Sequence, residues 1–359
     1  MRLIFDCRFI RLEHHDGISR FSSELFAAVS KQVQTTALIS DLRQLRWLPE
    51  GTDYLLANDP TQALAELKLP KKLNAAGATH VFSPMQTMGT LGRKYKLILT
   101  LHDLIYYAYP AAPPSLPLHV RILWRVYHLN YWAARLLLNR ADAVATVSET
   151  SRQLIMQNNL THKPVTVIYN APDTSTADLV SRTTKTLGSR NQLVYMGSFM
   201  SYKNVECLVR AMENLPNHEL VLLSKISAKR RKALTTLAGS ASPRVTFRDG
   251  VSDADYAQIL AGAFALVSAS KEEGFGIPLV EAMAHGIPLV VSDIPIFREV
   301  SKDAAQYFDP ANPQEFVSSI RRLSDAETWE SMSQESRQRS KFFDWDESAR
   351  TLVRALLAT

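Results

Sequence analysis

Short apolar runs alternate with longer stretches in which apolar residues recur at helical spacing, and the alternation runs through the chain twice. Residues 2–7 are apolar enough for a first strand, and the apolar positions over 18–29 follow a period that predicts a helix. Further strands are expected at 36–40, 81–83, 96–101, 143–147 and 165–168, with a long helical stretch over 117–140. Ser148 stands where it would cap the helix that follows. Between 173 and 190 the chain reads DTSTADLVSRTTKTLGSR, polar, rich in Ser and Thr and aperiodic, which marks a linker. The pattern then restarts, with strands at 192–196, 219–223, 244–247, 263–267 and 288–291 and two or three helical pieces over 313–356. Apolar runs separated by helical patterns indicate parallel sheets covered on both faces. The expected fold class is α/β, two Rossmann-like doubly wound domains with a cleft between them. Ligands of such sheets meet the carboxyl ends of the strands. The boundaries read 1–175 for the first domain, 176–190 for the linker and 191–340 for the second.

Bulk properties change this picture only a little. A chain of 359 residues suits two domains, and 46% hydrophobic with 21% charged residues describes a folded chain. Cys7 and Cys207 are far apart and belong to no C-x-x-C pair or metal-spaced cluster, so they read as buried thiols of a reducing compartment. The opening residues lead straight into a strand, without the basic and apolar regions of a cleaved leader, and no apolar run reaches 18 residues. Cytoplasmic residence is expected, with peripheral membrane contact left open. Of the net charge of +6, most lies in residues 1–180, where 19 Lys/Arg face 14 Asp/Glu. Such a basic half would attract an anionic lipid head group, a pyrophosphate-bearing substrate or nucleic acid. No zinc-finger spacing, RNP-like aromatic motif or long Lys/Arg block supports nucleic acid.

The chemistry concentrates in residues 268–283, SASKEEGFGIPLVEAM, which follow an apolar strand and open a helix near Pro278. Gly274 and Gly276 would let the backbone approach a ligand, and free N–H groups at the helix start favour an anion. Glu281, in the first turns, could accept two hydrogen bonds from a ribose diol, and Glu273, in the loop, could hold sugar hydroxyls. On residue types alone a solvated pair of glutamates beside an ordinary turn is an equal reading.

The stretch EEGFGIPLVEAMAHGIPLVVSD resembles the donor-site motif of the retaining glycosyltransferases of family GT4, which have the GT-B architecture. Other segments resemble the same family in the same order. They are the glycine loop Asp16-Gly17-Ile18-Ser19-Arg20, the strand end His102-Asp103-Leu104, and Val167-Ile168-Tyr169-Asn170, where Ala171 replaces the usual glycine. Then come Tyr195-Met196-Gly197 with Lys203-Asn204, and Phe343-Asp344-Trp345-Asp346 at the start of a terminal helix. The resemblance implies that this last piece, 341–359, packs back on the first domain. It also implies that Glu281 binds the donor ribose, that Glu273 contacts the donor sugar, and that Gly274, Phe275, Gly276 and Ile277 pass close to sugar and phosphate. Gly17, Gly197 and Ser198 would border the diphosphate. Lys203 is expected to be the main phosphate cation, because departure of a nucleoside diphosphate needs positive charge on its oxygens; a plain surface lysine is the competing reading. His102 is expected near the reacting sugar as a hydrogen-bonding group, Asp103 to orient it or cap the next element, and Asp16 to face an acceptor hydroxyl. His102, Lys203 and Glu273 are thus the expected catalytic set.

Relatives often carry an arginine beside the phosphates, where this chain has Ser198 and Tyr202; either Arg20 or Arg298 supplies the charge from elsewhere, or the site depends on Lys203 and backbone groups. Asp253-Ala254-Asp255 has D-x-D spacing, but Ser252 before it makes helix capping the better reading. His14-His15 lacks a second ligand pair, so no metal is expected and no cofactor beyond the nucleotide sugar. The 118–140 stretch mixes Trp124, Tyr127, Tyr131 and Trp132 with Arg121, Arg125, Arg135 and Arg140. It reads either as a helix packed on the sheet or as an interfacial patch for an anionic lipid surface. Taken together, the resemblance implies a retaining hexosyltransferase of bacterial polysaccharide or lipopolysaccharide assembly, using GDP-mannose and a saccharide or polyprenyl-diphosphate-linked glycan acceptor. A UDP-hexose or UDP-N-acetylhexosamine donor is the alternative within the fold, and a non-catalytic scaffold binding nucleotide sugar or membrane is the alternative outside it.

Overall fold

A computed structural model describes residues 1–13, 16–112, 118–173 and 190–359; His14, His15 and the expected linker up to residue 189 lie outside them. Two compact units result, one of Met1–Asn170 with Asp344–Thr359 and one of Ala171–Phe343. Each is built on one wholly parallel sheet.

The first unit holds β1 (Leu3–Asp6), β2 (Thr35–Ile39), β3 (Tyr54–Leu56), β4 (His80–Ser83), β5 (Lys96–Thr100), β6 (Ala143–Thr146) and β7 (Val165–Val167). They stand in the order β3-β2-β1-β4-β5-β6-β7. The second unit holds β8 (Gln192–Tyr195), β9 (Glu219–Leu222), β10 (Val245–Phe247), β11 (Ala265–Ser268), β12 (Leu289–Ser292) and β13 (Ala305–Phe308), in the order β10-β9-β8-β11-β12-β13. Strand order therefore reverses between β1 and β4 and again between β8 and β11, the two places where a doubly wound sheet opens a crevice at its carboxyl edge.

The interior strands are legible because they are buried on both faces: every residue of β1, β6, β11 and β12 is inside. The two strands that the hydrophobic pattern does not predict, β3 and β13, lie at sheet edges, and their mixed burial leaves no continuous apolar run. Ile4, Leu38, Val81, Leu97 and Leu99 form one face of the first core; Leu193, Leu220, Val267, Val290 and Phe316 belong to the second. Cys7 and Cys207 are free and buried, and burial pushes the Cys207 thiol up to about 11.

Helix α1 (Gly17–Ser30) starts at Asp16, whose carboxylate accepts from the Ser19 N–H at 2.9 Å. The single helix expected over 117–140 is instead two, α2 (Leu118–Tyr127) and α3 (Trp132–Leu138). The break falls at Asn130, whose Oδ1 accepts from the Trp132 N–H at 2.9 Å. That local turn competes with the helical hydrogen bond at this point. The second unit contributes α4 (Val205–Ala211), α5 (Asp253–Gly262) and α6 (Ile277–Ala284). The last helix, α7 (Trp345–Leu357), belongs to the first unit and lies against α1. Trp345 meets the Phe21 ring at 6.2 Å, and Gln32 Nε2 donates to the Asp346 carbonyl at 3.0 Å. Ser348 Oγ donates to the Tyr169 carbonyl at 2.7 Å, beside the end of β7.

Candidate functional site

In the second unit, strand order places the exits of β8 and β11 side by side. After β8 the chain turns at Gly197, whose N–H donates to Ser224 Oγ at 3.2 Å. A Cβ on Gly197 would fall 2.7 Å from the hydroxyl of Tyr195, a ring fully inside the core whose O–H donates to the Ser198 carbonyl at 2.7 Å. Only glycine fits without displacing that ring. The chain next makes a short turn over Ser201–Lys203, buries Tyr202, and enters α4 through Asn204 in the left-handed region. Lys203 Nζ lies 5.3 Å from the Tyr202 ring centroid, so the tyrosine forms a floor under the ammonium.

After β11 the chain passes through Ser268, Ser270 and Glu273. Lys203 Nζ and Glu273 Oε1 are 2.5 Å apart, with both side chains 14% exposed. The same carboxylate oxygen accepts from Ser270 Oγ at 2.9 Å, and Ser270 Oγ is 3.1 Å from the buried Ser268 hydroxyl. The Lys271 N–H donates to the Tyr202 carbonyl at 2.8 Å, which ties the two loops together. Glu272, next to Glu273, has its carboxyl pushed up by burial and then by its neighbour's charge.

Helix α6 begins where the motif reading places it, with Pro278 in its first turn and Gly276 as N-cap at φ +94°. Gly274 and Phe275 are buried, and Phe275 stacks edge-on against Phe343 at 5.5 Å. Its side chain therefore anchors the loop, and the approach to a ligand is left to the backbone. Ile277 is half-buried at the first position of α6, and Glu281, one turn further on, is only 7% exposed.

In the first unit His102 follows β5. Its Nε2 is 2.7 Å from the Pro84 carbonyl, and its ring lies edge-on to Phe21 at 5.1 Å. A carbonyl only accepts, so the network assigns the proton to Nε2 and leaves Nδ1 as an acceptor. Burial holds the imidazole below its usual range, which keeps it neutral. Asp103 Oδ1 accepts from the Ile105 N–H at 3.0 Å, a local turn before the short helix Ile105–Ala108, whose N-cap position is Leu104. Asp16 caps α1 and pairs with Arg11 at 2.5 Å, so both its oxygens are engaged; Gly17 is exposed at the first position of that helix and Arg20 is half-buried one turn on.

Of the two candidate substitutes for the missing arginine, Arg298 forms a two-pronged pair with Asp293 at 2.5 and 2.7 Å. Ser252 Oγ accepts from the Asp255 N–H at 3.1 Å, so Ser252 caps α5 and the D-x-D forms its first turn. Among the described residues no group of three His, Cys, Asp or Glu side chains could hold a metal ion. Reading along the chain did not find the direct Lys203–Glu273 pair, the Ser268–Ser270 support or the Tyr202 floor. The hint was that all five residues stand at or beyond the carboxyl ends of apolar strands.

The stretch 118–140 presents an apolar face. Leu118, Ile122, Val126 and Leu129 follow helical spacing and are 58–71% exposed; Trp132 on α3 is 68% exposed. Arg121 and Arg125 lie exposed along one flank of that strip. Behind it His128 is enclosed by Tyr106, Tyr107, Trp124 and Tyr127, ring centroids 4.7–5.7 Å away. That aromatic cluster pins the helix pair by its other side.

Two sequence families match, Glycosyl transferases group 1 over residues 181–339 and Glycosyltransferase Family 4 over residues 54–176. The O-antigen chain mannosyltransferase RfbU of Salmonella typhimurium is 27% identical over 63% of this chain and 60% of its own length. The O-antigen chain mannosyltransferase B of Escherichia coli is 25% identical over 73% of this chain and 70% of its own. The chain thus spans about 60% of the length of the first of these curated relatives. Among solved structures, Anabaena HepE in complex with UDP and glucose superposes with a TM-score of 0.77 at 17% identity, covering both chains completely. Sucrose-phosphate synthase from Thermosynechococcus elongatus does so at 0.74 and 17%, covering 99% of each.

Proposed function

Because the chain is homologous to the glycosyltransferases of group 1 and family 4 and has the GT-B fold, we propose that it moves a hexose from a nucleoside-diphosphate sugar to a saccharide acceptor with retention of anomeric configuration. The observation that carries this reading is the Lys203–Glu273 pair at the strand-order reversal of the second sheet, beside the glycine turns at Gly197 and Gly276. Lys203, the backbone at Gly197 and Ser198, and the start of α6 at Gly276 and Ile277 hold the diphosphate. Glu281 takes the ribose hydroxyls. Glu273 and the backbone at Gly274 and Phe275 take the hexose.

In the reaction the bond from the anomeric carbon to the β-phosphate oxygen breaks, and its electron pair stays on the phosphate. The acceptor oxygen bonds the same carbon from the same face, and its proton passes to the departing phosphate. Lys203 stabilises the charge that grows on that phosphate. His102, neutral with Nδ1 as acceptor, orients a donor-sugar hydroxyl rather than acting as a dedicated base. Asp16 acts by capping α1, the helix that carries Gly17 and Arg20, and Asp103 by holding the turn after β5.

For the donor, RfbU, mannosyltransferase B and the WbdA proteins are named as mannosyltransferases, which favours GDP-mannose. The HepE structures hold UDP or UDP-glucose, which favours a UDP-hexose. Calorimetric titration with GDP, UDP, GDP-mannose and UDP-hexoses, without metal, decides between them. Micromolar binding of one nucleotide family identifies the base; binding of none of them defeats the donor-site reading in favour of a scaffold. For the acceptor, the exposed apolar strip of α2 with its arginine flank fits a lipid-linked glycan held at an anionic membrane surface. Ile122→Asp with Val126→Asp should abolish co-flotation with vesicles containing anionic lipid. The same variant should keep nucleotide binding; undiminished flotation would defeat the membrane assignment.

A further inference from the structure

Lys203 and Glu273 are each expected to bind a different part of the donor, yet they bind each other. The pair measures 2.5 Å, both side chains are largely sheltered, and Ser270 holds the same carboxylate oxygen from the other side. Ser270 is itself fully buried and joined to Ser268, so the carboxylate rests on a rigid support. Tyr202, buried under the ammonium, limits the directions in which Lys203 can leave.

We infer that Glu273 is a switchable counter-ion of Lys203, through which the site distinguishes an intact nucleotide sugar from the bare nucleoside diphosphate. The inference rests on the donor-site reading above. A diphosphate reaching Lys203 competes with the carboxylate for one cation and brings like charge beside it. If Lys203 turns to the phosphate, Glu273 is left in a sheltered loop without its cation, and stranding one partner of a sheltered pair is costly. A hexose on the diphosphate offsets that cost, because its hydroxyls donate to the freed carboxylate. The nucleoside diphosphate alone offers no such donors. Once the hexose has moved to the acceptor, the hydroxyls leave with it, Glu273 reclaims Lys203, and the product is displaced. One carboxylate thus favours substrate on entry and promotes product release.

Affinities for UDP, GDP, UDP-glucose and GDP-mannose, measured by calorimetry on the full chain and on Glu273→Gln, test this. The wild-type chain should bind its nucleotide sugar more tightly than the matching diphosphate. In Glu273→Gln the diphosphate should bind at least fivefold more tightly than in wild type and the nucleotide sugar at least tenfold more weakly, so that the preference reverses. A merely structural carboxylate would weaken both ligands together, and that result overturns the inference, as does an unchanged diphosphate affinity. If Glu273→Gln melts early and cannot be assayed, the wild-type pair of affinities still decides: a diphosphate bound more tightly than its own nucleotide sugar overturns the switch. Absence of all nucleotide binding in the wild-type chain overturns the donor-site reading itself, and the switch with it.

Discussion

Both units reverse their strand order at a corresponding place, and both put an ion pair there, but the two pairs are built differently. In the first unit Arg8, just past β1, donates to Asp6 from Nε and Nη2 at 2.8 and 3.0 Å and reaches Glu66 at 2.5 Å. The Arg8 and Asp6 side chains are completely buried. Ser83 at the end of β4 adds a hydroxyl to Asp6, and Glu66 accepts from Asn58 and from the Gly89 N–H. Every charge there is spent on holding the strand exits together. In the second unit the corresponding pair is one lysine and one glutamate, partly open to solvent and propped by a serine. The same topology therefore yields a fully buried charge network in one sheet and a partly exposed pair in the other. The difference is the number of partners per charge: two carboxylates, Asp6 and Glu66, hold Arg8, and Glu273 alone holds Lys203 among the ion pairs of the described residues.

The sharpest way to break that comparison is Arg8→Met. It strands Asp6 and leaves Glu66 short of a donor, which should cost about 3–5 kcal/mol. Guanidinium unfolding monitored by tryptophan fluorescence would read the loss. A loss below about 1 kcal/mol would mean that the buried network is not what holds these strand exits together. Lys203→Met is the complementary cut. It should lower the transfer rate about 10²–10³-fold, the usual consequence of losing one group that stabilises a departing anion. The same change leaves Glu273 without its cation in a sheltered loop and should lower stability by about 1–3 kcal/mol, less than the loss of Arg8 because the pair is not fully buried. If Lys203→Met instead unfolded the second unit, its pair would be structural like that of the first.

The contrast between the two pairs also separates what could be read along the chain from what could not. Strands buried on both faces announce themselves as apolar runs, and β1, β4, β5, β6, β8, β9, β11 and β12 stand within a residue or two of their expected places. Of the four edge strands two do not: β3 exposes Tyr54 and Leu56, and β13 mixes Gln306 and Tyr307 into its run, whereas β7 and β10 stand where 165–168 and 244–247 are expected. The donor motif was readable because it is contiguous, from Glu272 to Asp293. The partnership of Lys203 with Glu273 was not, because 70 residues separate them and only the adjacency of β8 and β11 brings them together. Arg8 left a faint signal as a cation immediately after an apolar strand, but Glu66, its second partner, lies on a short helix that has no apolar period. α2 ends at Tyr127 and α3 starts at Trp132, and the side chain that marks the turn between them, Asn130 accepting from the Trp132 N–H, leaves no trace in a periodicity.

The smallest expected effect concerns pH, and it sharpens the contrast from the side of stability. Burial holds His80, His102 and His128 of the first unit below the usual value of 6.5, and does the same for His218 and His285 of the second. In the unfolded chain these imidazoles titrate near 6.5. Below that pH the unfolded chain therefore binds more protons than the folded one, and stability rises with pH through the interval. It is fully present above about pH 7 and declines as pH falls from 6.5 toward the depressed folded values. Each histidine can add at most about 1.4 kcal/mol per pH unit to that slope. His102→Gln keeps a hydrogen-bond donor toward the Pro84 carbonyl but cannot titrate. Its melting temperature should fall less steeply than the wild-type one between pH 7 and pH 5, so that the two curves start together near pH 7 and separate as pH falls where the glutamine is accommodated. Parallel curves would mean that His102 is protonated alike in folded and unfolded chains. The neutral ring with Nδ1 free to accept, on which its proposed contact with the donor sugar depends, would then be lost.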